Sequence, residues 1–255
     1  MHPRLTYIGG ATALLELDGL RLLTDPTFDP AGTEYPAASY VLRKSESPAL
    51  SAQEVGAVDA VLLSHDHHAD NLDRTGREVL GRADRVITTD VGAERLGGNA
   101  VGLRPWQSVE LATKTGRTLR ITATPARHGP PEGDRGPVIG FALAFTDAAR
   151  EAVYVSGDTV WYEGVASVAS AFDVEVAILF GGAARVAAVG PAPLTFTAPE
   201  MVTAAQRFAS AVIVPLHYEG WEHFSESRAE IEREFESAAL GARLRWPKRG
   251  QAITL

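Results

Sequence analysis

Six of the seven histidines in this 255-residue chain fall in three short places: His65 with His67 and His68, then His128, then His217 with His223. The first ligand candidate in each place closes an apolar run, AVLLSH at 60–65, ITATPARH at 121–128 and VIVPLH at 212–217, and a fourth run, YVSGD at 154–158, ends in Asp158. Imidazole and carboxylate are metal donors, and two imidazoles separated by one residue in an extended segment can face the same ion at the ~2.0–2.1 Å of a zinc–nitrogen bond. The chain has no cysteine, so a thiolate ligand, a thiol nucleophile and a disulfide are all excluded. Each position has an ordinary explanation when taken alone: a core histidine, a strand cap, or an Asx turn at Asp158. Four unrelated strand ends carrying His or Asp are hard to explain by packing, and together they point to one polynuclear metal site. His2 lies outside this pattern and is read as a solvated terminus.

The elements that must position these residues follow from the patterning. Uninterrupted branched aliphatic runs suit strands buried on both faces, and ligands collect beyond the carboxyl ends of such strands. LTYI (5–8), ATALLEL (11–17) and LRLLT (20–24) predict a meander, with a hairpin turn at Asp18-Gly19. The Pro-, Gly-, Tyr- and Ser-rich stretch from Asp25-Pro26 to about residue 50 predicts an ordered loop that overhangs the site. From Ser51 strands alternate with helices, an α/β layering. Capping boxes mark helix starts at Ser51 with Glu54, Thr197 with Glu200, and Ser227 with Glu230. Further helices are expected over 73–82, 90–96 and 162–171, and further strands over 108–112, 117–125 and 138–146. The element order gives two β-then-α halves, roughly 1–100 and 101–255. Nothing marks a linker, so a single domain over 1–255 is expected.

Composition bounds the function. With 45% hydrophobic and 22% charged residues the chain is an ordinary globular protein. Its net charge of −8 comes without any basic run, which disfavours nucleic acid and anionic membrane as partners. The N-terminus is unlike a signal peptide, and no apolar stretch approaches the ~20 residues of a membrane span. A cytoplasmic protein acting on a small molecule is expected, with a homo-oligomer left open.

With these four strand ends and the order His-x-His, His, Asp, His, the chain resembles the metallo-β-lactamase fold superfamily. Tyr7-Ile8-Gly9-Gly10-Ala11-Thr12 and Leu23-Thr24-Asp25-Pro26 are similar to the subgroup that contains ascorbate-6-phosphate lactonase and N-acyl phosphatidylethanolamine phospholipase D. The resemblance implies a four-layer αββα sandwich with one or two metals at its edge. It implies His65, His67 and His128 as ligands of the first metal, Asp158 as the bridging carboxylate and His217 as a ligand of the second.

The sequence departs from the family's HxHxDH, because Ala69, Asp70 and Asn71 follow the histidines. Either one residue is inserted, so that Asp70 keeps the Asp role and Asn71 replaces the His, or the register is kept and Asp70 replaces the His. The likeness of DNLD at 70–73 to the family's DHLD favours the insertion, and Asp70 is a ligand either way. The metal is read as zinc, one or two ions; because amide oxygen is a poorer zinc donor than imidazole, a second site of carboxylate and amide oxygens better suits a harder ion such as manganese, with iron a further alternative. His68 is expected to turn away from the ions, with compensation for the missing imidazole as its other possible role. Asp66 is expected behind the ligands, holding an imidazole in its ligating tautomer or orienting water.

The implied chemistry is lactonase-like hydrolysis, a metal-bound hydroxide attacking an ester, lactone, amide or phosphodiester bond with Asp70 and Asp158 positioning it. His223 and Tyr218 are candidate donors to an oxyanion or leaving group, and Arg127 to an anionic substrate group. Trp106, Trp161 and Trp221 are candidates for an apolar wall, and Asp25 is read as a turn cap that could also touch the site. The alternatives are a phosphodiesterase or nuclease of the same fold, and a non-catalytic metal-binding or ligand-sensing protein with an altered second site.

Overall fold

The computed structural model describes residues 3–148 and 150–255, so His2 lies outside the described residues. Two sheets face each other. The first runs in the order Ala252–Thr254, Arg4–Gly9, Thr12–Leu17, Leu20–Thr24, Ala60–Leu62, Arg85–Thr89, Ala100–Leu103. The second runs Val212–Leu216, Asp173–Phe180, Glu151–Val155, Ile139–Phe145, Thr118–Pro125, Ser108–Ala112.

The main core lies between the sheets and joins Leu5, Leu15 and Leu22 of the first to Phe141, Val155 and Phe180 of the second. A second core packs the outer face of the second sheet against helices Glu163–Ala171, Ala198–Arg207 and Arg228–Ser237, through Val165, Met201, Ile231 and Phe235. A third packs the outer face of the first sheet against Ala52–Val55 and Arg74–Leu80, through Val55, Val79 and Leu80. The result is the expected αββα layering, with both faces of each sheet buried.

The local reasons match the patterning. Strand Ile139–Phe145 is buried at every residue, as an aliphatic run without polar alternation requires. Leu17 pairs with Leu20, and Asp18 and Gly19 take φ of 49° and 81°, the two positive values of a type I′ turn. In all three capping boxes the Glu carboxylate accepts from the backbone N–H of Ser51, Thr197 or Ser227. Helices at Arg74–Leu80, Asp90–Leu96 and Glu163–Ala171 fall where they were expected.

Two features differ from expectation. The division at residue 100 holds for every strand but the last: Ala252–Thr254 returns to pair antiparallel with Arg4–Gly9, Leu5 opposite Ile253, and so completes the first sheet. Three residues are too few to show a period. The 26–50 segment also contains a short hairpin, Glu34–Pro36 paired with Val41–Arg43, rather than loop alone. No helix among the described residues is long and apolar enough to cross a membrane.

Candidate metal centre

Parallel pairing aligns the site. Leu20–Thr24, Ala60–Leu62 and Arg85–Thr89 are parallel neighbours in one sheet, as are Glu151–Val155, Asp173–Phe180 and Val212–Leu216 in the other. His65, Asp158 and His217 follow the carboxyl ends of such strands, where ligand sites collect. His128 follows the antiparallel strand Thr118–Pro125 at the same end of the sandwich. His217 takes φ 57°, a strained conformation for a histidine, and its N–H donates to the Gly10 carbonyl at 2.9 Å. The Gly9-Gly10 turn thus anchors the last ligand candidate to the first sheet.

One donor atom each from His65, His128 and Asp158 lies within 4.8 Å of the others, and the same is true of Asp70, Asp158 and His217 and of His65, His67 and His68. Asp158 is common to two of these groups. Its carboxylate stands 3.0 Å from His217 Nδ1 and 3.6 Å from His128 Nε2, while Asp70 stands 3.6 Å from His217 Nε2.

Hydrogen bonds fix which ring nitrogens carry protons. His128 Nδ1 donates to the Leu194 carbonyl at 2.8 Å, which can only accept, so His128 Nε2 holds a lone pair. The N–H and hydroxyl of Ser64 both donate to Asp25 Oδ1 at 2.8 Å, so Ser64 Oγ accepts from His65 Nδ1 at 2.9 Å and His65 Nε2 is bare too. His68 Nδ1 sits between those two lone pairs, 2.9 Å from His65 Nε2 and 3.1 Å from His128 Nε2. A single proton on His68 cannot satisfy both neighbours.

Electrostatics favours the neutral, ligating form of His65 and His68. Burial, reinforced by His68, drives His65 well below the ordinary imidazole range; burial, reinforced by His128, brings His68 down to about 3. Burial pulls His217 the same way but is outweighed by the Asp158 carboxylate, and the net shift is upward. Burial would raise Asp158 and Asp70, yet His217 holds the first and His223 the second below the usual carboxylate range. Burial and then Asp158 push Asp25 well above it.

Five buried atoms around this centre have no hydrogen-bond partner: Asp158 Oδ2, Asn71 Oδ1, both ring nitrogens of His217, and His223 Nδ1. Each such group costs free energy unless something else satisfies it. Converging lone pairs, unpaired buried donors and donor atoms about 3 Å apart together fit a cation held at ~2.0–2.2 Å by nitrogen and oxygen.

The structure corrects several expectations. His68 does not turn away; its Nδ1 points into the cluster. His67 stays in the group with His65 and His68 but lies on the exposed rim, with Nε2 donating to the Arg135 carbonyl at 2.8 Å and Nδ1 left with a lone pair. Asp66 faces away from the site, paired with Arg95 (Nε to Oδ2 2.8 Å). Tyr218 turns to the helix side of its sheet, 5.3 Å from the Trp246 ring. Arg127 lies over Tyr162 at 4.5 Å. Trp106 is exposed, Trp161 joins the helix-side core, and Trp221 is buried against Tyr35, none of them on the metal-facing cleft. Asn71 donates through Nδ2 to Asp158 Oδ1 at 3.1 Å.

That cleft is narrow, with an enclosed volume of about 20 Å³, and is bounded by His68, Asp70, His128 and His223 at its floor. Its walls are Tyr40 and Leu42 from the 34–43 hairpin and Ala184, Val186, Val189 and Leu194 from the loop after Asp173–Phe180, with Arg135 the one cationic side chain. The hairpin therefore overhangs the site as expected. The 184–194 loop and Arg135 were missed, because AARVAAVGPAPL (183–194) has no periodic pattern and a lone Arg carries no signal.

Comparison with known proteins agrees with this geometry. The chain is 24% identical over 261 residues to a UPF0173 metal-dependent hydrolase of Caldivirga maquilingensis, covering 98% of this chain and 97% of that protein. It is 26% identical over 144 residues to an N-acyl-phosphatidylethanolamine-hydrolyzing phospholipase D of Caenorhabditis elegans, covering 51% of this chain and 38% of that protein. The crystal structure of isothiocyanate hydrolase from Delia radicum gut bacteria superposes with a TM-score of 0.82 at 24% identity, over 99% of both chains. Residues 20–218 match the family described as the beta-lactamase superfamily domain, and the chain belongs to that family and has the metallo-β-lactamase fold.

Proposed function

We propose that this metal-dependent hydrolase cleaves an ester, lactone or amide of a small, largely apolar molecule, the whole chain acting as one domain. The observation that carries the reading is one cleft whose floor is the His and Asp cluster and whose walls are apolar apart from Arg135. Such a cleft binds by burying apolar surface and orients its ligand with a few polar groups.

His65, His68, His128 and Asp158 would hold one cation, and Asp70, Asp158 and His217 a second. A bound divalent cation of the zinc type supplies a Lewis acid that acidifies water and polarises the scissile oxygen. Asp70 and Asp158, both ionised, accept hydrogen bonds from the attacking water and fix its direction. The Asp25–Ser64–His65 chain holds His65 with Nε2 bare. Tyr40 and Leu42 exclude bulk water, which strengthens every charge interaction beneath them.

A phosphodiester substrate is the second reading, favoured by the similarity to the phospholipase D and by Arg135 as a counter-ion. A panel of aryl esters, lactones, anilides, isothiocyanates and bis-aryl phosphodiesters, assayed with zinc or manganese, separates the two. Turnover of carbonyl-type substrates is expected to exceed that of phosphodiesters. The opposite ranking would favour the second reading, and no turnover of any substrate by fully loaded protein would contradict hydrolysis.

The ligand choice within 65–68 has its own test. His67→Ala is expected to keep the wild-type metal content, because His67 is exposed on the rim while His68 Nδ1 lies between the bare nitrogens of His65 and His128. His68→Ala is expected to lose at least one equivalent. Elemental analysis of the two purified variants checks this, and the reverse result would return the first site to the family's His-x-His spacing.

A further inference from the structure

We propose that His223 is a ligand of the second cation, supplying the imidazole that Asn71 no longer provides. The inference rests on the reading of this cluster as a metal centre. Asn71 is fully buried directly after Asp70, and its amide nitrogen, which has no lone pair to give, is turned toward Asp158 Oδ1 at 3.1 Å. An imidazole has been lost there, and another stands across the site.

His223 comes from a different element, the turn after Val212–Leu216. Its side chain is 9% exposed, and Nε2 lies 3.0 Å from Asp70 Oδ2. The same carboxylate oxygen is 3.6 Å from His217 Nε2, so two imidazole nitrogens bracket one oxygen. Atoms that share an ion at ~2.0–2.2 Å are separated by about 3.0–3.6 Å, and both distances fall in that range. The backbone holds His223 in place: its carbonyl accepts from the Arg185 N–H at 2.9 Å, and its ring is 4.7 Å from Phe224. His223 Nδ1 is buried without a partner, so Asp70 is the one group its ring nitrogens meet among the described residues. His223 also borders the same cleft as His68, Asp70 and His128. The second site then has Asp70, Asp158, His217 and His223, a nitrogen and oxygen set that suits a borderline ion better than carboxylate and amide oxygen alone.

The competing roles are a hydrogen bond that only steadies Asp70, and ligation by the unpaired Asn71 Oδ1. Titration of metal-free protein with Co²⁺, read by visible absorption and by metal per chain after dialysis, separates them. Wild type is expected to bind two equivalents. His223→Ala is expected to bind the second more than ~100-fold more weakly, beyond the ~10–100-fold cost of losing an outer partner. His223→Gln, which keeps a donor toward Asp70, is expected to behave like His223→Ala, and Asn71→Ala to keep both equivalents. Circular dichroism confirms that each variant is folded.

The proposal is overturned if His223→Ala binds two equivalents within ~10-fold of wild type, or if His223→Gln restores the second site. It is also overturned if Asn71→Ala loses the second equivalent while His223→Ala keeps it. Wild-type protein that binds no Co²⁺ at all would instead bring down the metal-centre reading itself, and this inference with it.

Discussion

Replacing Asp158 by alanine is expected to strip the centre of metal and to lower kcat/KM by at least ~10³-fold, which is about 4 kcal/mol of transition-state stabilisation. Asp158 is the one carboxylate shared by two of the ligand groups, so its loss removes a donor from both proposed sites. It also leaves His217, whose protonated form it favours, without its nearest counter-charge. The fold should survive, because the buried apolar strands on either side hold the sandwich together.

The cleanest readout is therefore metal-dependent stability. Metal at ~1,000 times its dissociation constant adds about 4 kcal/mol, which for a chain of this size raises the melting temperature by roughly 10 °C. Chelation should remove that increment from the wild type and change Asp158→Ala hardly at all. A variant that keeps wild-type metal content and a chelator-sensitive melting temperature would contradict the assignment.

Replacing Lys44 by methionine is expected to cost ~3–5 kcal/mol, the usual penalty for removing one partner of a buried ion pair. Lys44 is 4% exposed, its Nζ lies 3.0 Å from Asp73 Oδ2, and Asp73 has no exposed side-chain surface. Asp73 is committed elsewhere too: Oδ1 accepts from Gly76 N–H at 2.7 Å as a helix N-cap and Oδ2 from Asp29 N–H at 2.6 Å. It cannot turn to water when Lys44 is gone. Thermal melting should fall by roughly 6–20 °C.

The double variant Lys44→Met with Asp73→Asn should recover part of that loss, because it removes the stranded charge and keeps the N-cap acceptor toward Gly76, while the amide nitrogen can no longer accept from Asp29 N–H. KM should also rise, since Lys44 ends the hairpin that carries Tyr40 and Leu42 over the cleft. A loss below ~1 kcal/mol for Lys44→Met would mean that Asp73 finds another partner.

The strand ends were legible because a strand buried on both faces announces itself as an aliphatic run, and a charged or ionisable residue ending such a run needs a reason. The turn at Asp18-Gly19 and the capping boxes were legible because each depends on two or three adjacent residues. What lay beyond reading were choices made across the sheet. Whether His67 or His68 reaches further into the cluster depends on the backbone path between Ser64 and Asp70, and the letters are the same for both outcomes. Asp66 looked like a partner for a ligand until the Asp90–Leu96 helix delivered Arg95 to it from 29 residues away. Tyr218 and His217 are neighbours in sequence but point to opposite sides, because the chain leaves its strand at Leu216 and His217 takes a positive φ of 57°. The apolar walls come from two aperiodic segments, 26–50 and 183–194, whose proximity only the fold provides.

Elemental analysis of the protein purified without added metal, and again after reconstitution, tests the central claim most directly. The account predicts two equivalents of a zinc-type divalent ion per chain once reconstituted, retained through dialysis and removed by a strong chelator. Protein that is folded and still holds no metal after reconstitution would contradict the metal centre and the hydrolase chemistry built on it.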